Sequence, residues 1–252
     1  MVPFQAEATL RGNTSNATLA LSPESGIYRV GGAFQADILV NTRGQNVNAV
    51  AVFINYNASL FNVTIDSTGS IFPMDAGSSV SGGKISISRG ITTYVNTSNG
   101  KVATLNIIGL SDTAPSSDNF TFDFTAGDAN QSNVFLADQQ GTPVLSGVYD
   151  AKYTLDGTPP ANVSNFTATA GEGQISLSWI NPSADFNGVT ILRKTVSYPT
   201  SIIDGTVVYN SNGTSYVDTG LANGTTYYYT AFSRDIVLNY SSGAQLSAIP
   251  RD

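Results

Sequence analysis

The side chains of this 252-residue chain that could do chemistry are oxygen donors, because the sequence contains no histidine and no cysteine. Without cysteine there is no disulfide scaffold, thiolate zinc site, iron–sulfur cluster or cysteine nucleophile. Without histidine there is no Ser-His-Asp triad, and most transition-metal sites are excluded. The remaining carboxylates, amides and hydroxyls suit calcium binding, glycan attachment and hydrolysis by paired carboxylates.

Paired-carboxylate hydrolysis is the catalytic chemistry that this set of side chains still admits. The chain has 18 acidic residues, but most aspartates stand in turn contexts, as Asp66, Asp112, Asp204 and Asp218 do. In such turns the carboxylate caps its own backbone. No spacing singles out an acid and a base, and we therefore expect a protein that is not an enzyme.

The overall charge limits the kinds of partner. The formal net charge is −7, whereas a nucleic-acid binder needs clustered lysine and arginine, so we expect no nucleic-acid partner. No apolar run approaches the ~18 residues of a membrane span, so no membrane span is expected.

Asparagine gives the strongest indication of compartment. Twelve Asn-x-Ser/Thr sequons occur, where the composition predicts about five by chance. Glycan transfer needs a lumenal or external face, so the sequons favour an extracellular glycoprotein. The alternative is an Asn- and Thr-rich β protein whose sequons are coincidental. The sequon asparagines are Asn13, Asn16, Asn57, Asn62, Asn96, Asn119, Asn130, Asn162, Asn165, Asn212, Asn223 and Asn239.

The elements that must position these groups are short strands. Nine β-patterned runs separated by glycine-rich turns precede residues 156–160, Asp-Gly-Thr-Pro-Pro, and they favour a sandwich or a jelly roll. Two adjacent prolines cannot donate ladder hydrogen bonds, so residues 156–160 are predicted to be a linker. The predicted domains are residues 1–155, with an extension at 1–16, and residues 161–252. The predicted strands are residues 18–22, 34–41, 47–56, 60–65, 84–88, 102–108, 120–124, 133–137 and 148–155.

The first half resembles a cohesin domain. The matching segments are Leu-Ser-Pro-Glu-Ser-Gly at residues 21–26, and Val-Asn-Ala within residues 44–50, followed by the Tyr-Asn-Ala-Ser-Leu step. Gly32 and Asn57 replace two aspartates that are usual in the family, and Ala58 replaces a proline. The resemblance spans roughly residues 17–155. It implies a nine-stranded jelly roll that binds a dockerin or a related protein through one sheet face.

The second half resembles a fibronectin type III domain. Trp179 ends an Ile-Ser-Leu-Ser-Trp run, where the family places its core tryptophan. Residues 221–227 match the family's Leu-x-Pro-Gly-Thr-x-Tyr, in which Tyr227 corresponds to the tyrosine corner. The resemblance implies a seven-stranded immunoglobulin-like sandwich with both aromatic side chains packed in its core. The chain is thus predicted to be all-β, with two β-sandwich domains.

The fibronectin type III topology also implies a candidate metal site. It brings the start of the domain, the loop after the second strand and the loop after the sixth strand to one end. Asp156, Asp185 and Asp235 are expected to converge there, with Asn239 nearby. Calcium needs six to eight oxygen ligands and neither histidine nor cysteine, so it is the one cofactor we consider. The alternative is three solvated turn aspartates.

The strand at residues 47–56 predicts a partner-binding face. Its two period-two sets are both apolar, although a half-exposed strand alternates. We expect Val50, Val52 and Ile54 to face the core. The set of Val47, Ala49, Ala51 and Phe53 is then expected on the outer face, and Ala49, Ala51 and Phe53 are the candidate contact residues. The alternative is that a loop or the second domain covers them.

A second candidate contact lies at the N-terminus. Phe4, Ala6, Ala8 and Leu10 alternate with polar residues as a strand would. This segment is predicted either to add an edge strand to its own domain or to pair with a neighbouring copy by β-strand addition.

These expectations combine into one functional hypothesis. We expect a noncatalytic extracellular adhesion or scaffold protein, a cell-surface or filament-forming subunit whose cohesin-like domain contacts copies of itself or a dockerin-like surface module. The alternative is a pair of carbohydrate-binding accessory modules of a larger secreted glycoside hydrolase, with glycans as partners. Such modules need an exposed aromatic platform, for which Tyr198, Tyr209 and residues 227–229 are the candidates.

Calcium binding is tested by titration calorimetry and thermal melting with and without a chelator. If Asp156, Asp185 and Asp235 hold the ion, calcium at one hundred times its Kd stabilises the folded chain by about 2.7 kcal/mol, and Asp235→Asn removes the effect. A titration without heat, together with a melting temperature that the chelator leaves unchanged, contradicts the prediction.

Overall fold

The computed structural model describes residues 10–128 and 130–251, and every regular element within these residues is a β-strand. The chain divides into two compact units, Met1–Gly157 and Thr158–Asp252. Each unit is built from two sheets, which confirms the predicted all-β sandwich class. No helix that could cross a membrane occurs in the described part of the chain.

The described residues of the first unit form thirteen strands. They are β1 (Leu10–Gly12), β2 (Ala17–Ser22), β3 (Ser25–Arg29), β4 (Ala33–Asn41), β5 (Val47–Asn55), β6 (Phe61–Asp66), β7 (Met74–Ser81), β8 (Lys84–Val95), β9 (Gly100–Gly109), β10 (Asp118–Phe122), β11 (Asn133–Leu136), β12 (Leu145–Tyr149) and β13 (Ala151–Asp156). One sheet has the order β1-β12-β2-β4-β9-β6. The other has the order β3-β13-β10-β5-β8-β7, and β11 also pairs with β5.

The core of the first unit lies between these sheets because their strands alternate apolar and polar residues. In β4, Phe34, Ala36, Ile38 and Val40 point inward and are at most 9% exposed. The residues between them are more exposed, as expected for a sheet with one face on the core and one face in solvent. This period-two pattern made most strands of the unit predictable from the sequence.

Residues 148–155 were predicted as one strand, but the chain changes sheets within them. β12 belongs to the six-stranded sheet and β13 to the seven-stranded sheet. Asp150 lies between the two strands, and its carboxylate accepts a hydrogen bond from the backbone N–H of Phe122 at 2.8 Å. The same carboxylate pairs with Arg11 Nε at 2.6 Å. A polar side chain therefore takes the place of a ladder partner where the strand is interrupted.

Two strands of the first unit, β3 and β7, had no predicted counterpart, and β1 was considered only as an added edge strand ending at Leu10. With the division of residues 148–155 into two strands, this corrects the nine-strand count. β1 and β3 are short, and β3 follows Pro23. β7 is exposed at nearly every position, so it has no apolar alternation. Periodicity reveals a strand only when the strand buries one face.

The second unit is a seven-stranded sandwich within its described residues. Its strands are β14 (Ser164–Gly171), β15 (Gln174–Ile180), β16 (Gly188–Lys194), β17 (Thr206–Ser211), β18 (Ser215–Thr219), β19 (Tyr227–Arg234) and β20 (Ala244–Ala248). One sheet has the order β14-β15-β18 and the other β17-β16-β19-β20. Trp179 is 4% exposed and Tyr227 is 8% exposed, so both pack in the core as predicted. The backbone N–H of Ala222 donates to the Tyr227 hydroxyl at 3.0 Å, which is the expected tyrosine corner.

A buried polar cluster joins the two sheets of the second unit. Arg193 Nη1 lies 2.8 Å from both carboxylate oxygens of Asp218, which is almost fully buried. The Tyr229 hydroxyl donates to the same carboxylate at 2.8 Å. Burial, followed by the hydrogen bond to Asp218, raises the pKa of Tyr229 well above its usual value. The cluster is fully partnered, so removing its anion leaves a partly buried cation without a counterion.

We expect Asp218→Ala to lower the free energy of unfolding by about 3–5 kcal/mol, because breaking a buried ion pair leaves the charge of Arg193 without its counterion. Urea denaturation measures the change. Tyr229→Phe removes only one hydrogen bond, and its expected loss is about 1 kcal/mol. Asp204→Ala is the comparison, since its carboxylate pairs with Lys194 and accepts from Thr200 in a more exposed place, and its loss of stability should be clearly smaller than that of Asp218→Ala. An Asp218 variant as stable as the Asp204 variant contradicts the prediction.

Candidate functional site

The central strand β5 separates a buried face from an outer face. Val50, Val52 and Ile54 are at most 1% exposed and belong to the core, as predicted. Ala49, Ala51 and Phe53 alternate with them and are partly exposed on the other side of the sheet. The three predicted contact residues therefore share one surface.

Val47 corrects the predicted outer set. It was placed with Ala49 and Phe53, but it is fully buried in the core. The cause is an irregularity in the pairing of β5 with β11, where the step from Val47 to Ala49 on β5 lies opposite the single step from Leu136 to Phe135 on β11. A β-bulge inserts extra residues into one strand, which reverses the alternation on one side of it.

The outer face of β5 continues over small, uncharged residues of the neighbouring strands. On β8, Gly90, Ser88 and Ser86 lie opposite Ala49, Ala51 and Phe53, and on β7, Gly77 and Ser79 lie opposite Ser88 and Ser86. Directly paired residues project to the same side of a sheet. We call this surface the β5–β8 face, defined by Ala49, Ala51, Phe53, Ser86, Ser88, Gly90, Gly77 and Ser79.

Phe135 extends the β5–β8 face on the side of β11 and was missed in the sequence. It pairs with Ala49 and is partly exposed, while its neighbour Val134 is buried in the core. The sequence signal that could have revealed it is the apolar Val134 beside it. If Val134 faces the core, the alternation of a strand places Phe135 on the outer side. The surface thus carries two phenylalanines with two alanines between them.

Phe53 is held by side-chain hydrogen bonds at a gap in the ladder of β5. β10 pairs with residues near Ile54, and β11 pairs with residues 47–51, so Phe53 lies between them. Its N–H donates to Ser132 Oγ at 2.9 Å, and its carbonyl accepts from the Ser132 hydroxyl and the Asp123 N–H. These contacts fix the backbone and therefore the side of the sheet from which the Phe53 side chain projects.

Of the predicted N-terminal contact residues, Phe4, Ala6 and Ala8 lie outside the described residues, and Leu10 begins β1. β1 pairs antiparallel with β12 of its own chain, where Leu10 lies opposite Tyr149. Arg11 holds the strand in place, because its guanidinium contacts both carboxylate oxygens of Asp150 and the carbonyl of Phe122. Residues 10–12 thus form an added edge strand of their own sheet, while the role of residues 4–8 stays a prediction.

The predicted calcium ligands fall in both units. In the second unit, Asp185 and Asp235 offer carboxylate oxygens within 4.8 Å of each other. Asp235 Oδ1 accepts from the N–H groups of Val237 and Asn239, and its Oδ2 accepts from the Asn239 side-chain amide. Asp156 is the buried last residue of β13 in the first unit. Asp235 therefore has a clear structural role in its loop, and calcium binding stays a prediction.

The sequons differ in how far their side-chain amides are accessible. Eleven of the twelve asparagines are exposed. Asn239 is 4% exposed, and its side-chain nitrogen donates to Asp235 at 2.8 Å. A glycan on this nitrogen would break that hydrogen bond and need space that the fold does not leave.

A groove between β6 and β7 was not predicted, because β7 itself was not. It has a volume of about 680 Å³ and is lined by residues 63–67 and 78–80, Asp75 and Asn106. Hydrogen bonds from the side chain of Thr68 lower the pKa of Asp66, and one from the N–H of Gly77 lowers the pKa of Asp75. Both carboxylates are therefore anionic at neutral pH.

No family model matches the sequence, and no curated protein matches it. Among similar solved structures, the cohesin CaCohA2 of Clostridium acetobutylicum is 18% identical with a TM-score of 0.47, covering 57% of this chain and 92% of that module. A non-cellulosomal cohesin of Archaeoglobus fulgidus is 12% identical with a TM-score of 0.43, covering 56% and 92%. The FN1–FN3 domains of chicken CNTN1 are 13% identical with a TM-score of 0.42, covering 94% of this chain and 69% of that one. The chain is thus similar in fold to cohesin modules and to fibronectin type III domains, as the sequence predicted.

Proposed function

We propose that this chain is a noncatalytic adhesion or scaffold protein of the cell exterior, and that its first unit binds another protein through the β5–β8 face. The observation that carries the proposal is the composition of that face. It is the outer side of a central strand, the eight residues that define it carry no charge, and its large side chain is Phe53, with Phe135 and the exposed Met74 adjoining it. Protein interfaces are depleted of charge at their centre and enriched in aromatic residues.

The dimensions of the face fit the centre of an interface. From β5 to β7 it spans two strand spacings, about 10 Å, and from Ala49 to Phe53 about 14 Å. A stable interface buries about 800 Å² on each partner. The partner must therefore also contact the polar surroundings, where Lys84 lies opposite Asn55. Small side chains at the centre let another backbone approach closely, and the two phenylalanines supply the large apolar contacts.

The proposed partner is a protein, either another copy of this chain or a module of the dockerin kind. The sixth cohesin of Acetivibrio cellulolyticus scaffoldin B was solved in complex with a dockerin. For this chain, a copy of itself makes it a filament-forming or cell-surface subunit, and a dockerin-like module makes it a scaffold component. The two partners are distinguished by whether the purified chain associates without any other protein.

The positions of the sequons support both the exterior location and the choice of face. β5, β7 and β8 contain no sequon asparagine, although the three strands together form much of one sheet. The exposed sequons lie in other strands and loops of both units. Glycans at those positions would surround the β5–β8 face without covering its centre.

Phe53→Asp tests the face. We expect it to weaken association at least about 30-fold, the equivalent of a 2 kcal/mol hot spot, because it places a charge at an apolar contact. Sedimentation velocity, alone and with dockerin-type modules, measures the effect. Ile108→Asp is the control, since Ile108 is 40% exposed on the six-stranded sheet. A Phe53 variant that keeps its fold and all of its association contradicts the proposal.

The exterior location is tested by intact mass and glycopeptide mapping of the native protein. We expect glycans on several exposed sequons and an unmodified Asn239, because the folded loop uses that amide nitrogen to bind Asp235. Asn239→Gln should leave the mass of the attached glycans unchanged, whereas Asn57→Gln should lower it when Asn57 is occupied. A native mass equal to that of the bare polypeptide contradicts glycosylation.

A further inference from the structure

The groove between β6 and β7 is bordered by the free edges of both sheets of the first unit. Within the described residues, β6 pairs only with β9 and β7 only with β8. Residues 63–67 line one side of the groove and residues 78–80 line the other. The backbone groups on these two edges are therefore available to another strand.

The floor of this groove is an incompletely covered part of the core. Val63 belongs to the core and is 4% exposed. Ile65 and Val80 pack against the same core but are only partly buried. A strand that entered the groove with apolar side chains facing inward would cover both residues.

Both edges have little of the usual protection against pairing, and what they have lies near their ends, with Asp66 as the last residue of β6 and Asp75 as the second residue of β7. Natural edge strands carry lysine, proline, bulges or inward-pointing charges. β6 and β7 contain no lysine and no proline. The irregularity in β7 lies at its start, between Asp75 and Gly77, where the Asp75 carboxylate accepts from the Gly77 N–H and the Ser78 hydroxyl. The rest of β7 is a regular, uncharged edge.

We propose that this groove is the acceptor site for residues 1–9 of a second copy of the chain, a self-assembly contact that is separate from the β5–β8 face and rests on the proposed function only in that the chain acts through protein contacts. Phe4, Ala6 and Ala8 alternate with polar residues, as required of a strand with one face on a core. Nine extended residues reach about 30 Å. A six- to eight-residue strand occupies about 20–27 Å, so the segment is long enough to fill the groove.

The position of β1 favours another copy over the same chain. β1 and β6 are the two opposite edges of the six-stranded sheet. Five strand spacings, about 24 Å, separate them. The described chain begins at β1, at one edge of this sheet, while the acceptor groove lies at the other edge. Arg11 and Asp150 hold β1, which directly follows residues 1–9, in the donor molecule.

This arrangement makes the contact heterologous. Each copy donates a segment at one edge of the sheet and accepts one at the opposite edge, so the two contact surfaces are different. A heterologous contact that does not close into a ring propagates into a filament. The fold thereby assigns a direction to the assembly, from the donor edge at β1 to the acceptor edge at β6 and β7.

Cysteine cross-linking tests the pairing against a clean background, because the chain has no cysteine of its own. A double variant, Gln5→Cys with Ser79→Cys, places both cysteines on the outer side of the sheet, because Gln5 alternates with Phe4 and Ala6. It is treated with a short bis-maleimide and run on a denaturing gel. We expect a ladder of dimers, trimers and larger species. Gln5→Cys with Ser215→Cys is the control, since Ser215 is exposed in the second unit, and it should give no ladder. No cross-link, or a cross-link confined to the monomer, overturns the inference.

Complementation distinguishes this contact from edge-to-edge pairing of two β7 strands. A variant lacking residues 1–9 keeps the groove, and Val80→Lys blocks the groove but keeps the donor segment. Both are made with Phe53→Asp so that the β5–β8 face does not contribute. Each is then expected to be monomeric alone, and an equimolar mixture should form one-to-one dimers and nothing larger in light scattering. Association of the truncated variant alone overturns the inference. A peptide of residues 1–10 that binds the truncated variant repeats the test without Val80→Lys.

Failure of this inference and failure of the proposed function give different results. Phe53→Asp in the Gln5→Cys and Ser79→Cys background should still produce the ladder, because Phe53 does not line the groove. If the ladder is absent while Phe53→Asp abolishes association, the acceptor groove is wrong and the β5–β8 face remains the binding site.

Discussion

The structure depends on one constraint, that every buried backbone N–H must find a hydrogen-bond acceptor wherever a β-ladder is interrupted. In this chain side-chain oxygens meet that need. Asp150 accepts from Phe122 where the chain changes sheets, and Ser132 bonds to Phe53 between two partner strands. The Asp138 carboxylate accepts hydrogen bonds from three successive backbone N–H groups. The hydrogen bond from the Thr142 hydroxyl is the largest cause of the lowered pKa of Asp138, and the bonds from the backbone N–H groups lower it further. In this chain, which has no histidine and no cysteine, carboxylate and hydroxyl side chains thus serve to satisfy the backbone of the fold.

The same constraint explains where binding surfaces remain. A sheet face needs no partner to satisfy its backbone, so the β5–β8 face can be both stable and open if its side chains are small. A sheet edge does leave backbone groups unpaired, and these are satisfied by water or by another strand. The first unit closes one edge with β1, whose arginine bonds to Asp150 and Phe122. The edges at β6 and β7 have no such strand within the described residues.

The sequence predicted those parts of the fold in which burial follows a simple period. Phe34, Ile38 and Val52 occupy the inward positions that alternation assigns to them, and Trp179 and Tyr227 lie where the fibronectin type III resemblance placed them. Irregular pairing is what alternation alone does not reveal. Val47 was placed on the wrong face because a bulge follows it. β7 escaped prediction because an exposed strand has no apolar period, and the groove that it borders was missed for the same reason.

The two proposed contact sites contribute differently to binding, because one acts through backbone hydrogen bonds and the other through side-chain packing. Backbone pairing in the groove supplies many hydrogen bonds and fixes the direction of the added strand. It discriminates little between partners beyond requiring an alternating apolar pattern. Side-chain packing on the β5–β8 face selects partners by their shape, because Phe53 and Phe135 need complementary cavities in the partner.

Strand β7 borders both sites, since Ser79 projects from the face and Val80 lines the groove. A strand added beside β7 would extend the seven-stranded sheet and enlarge the face with its own outward side chains. Occupation of the groove would therefore change the area available on the face, which couples assembly to binding without any change in the fold of either unit.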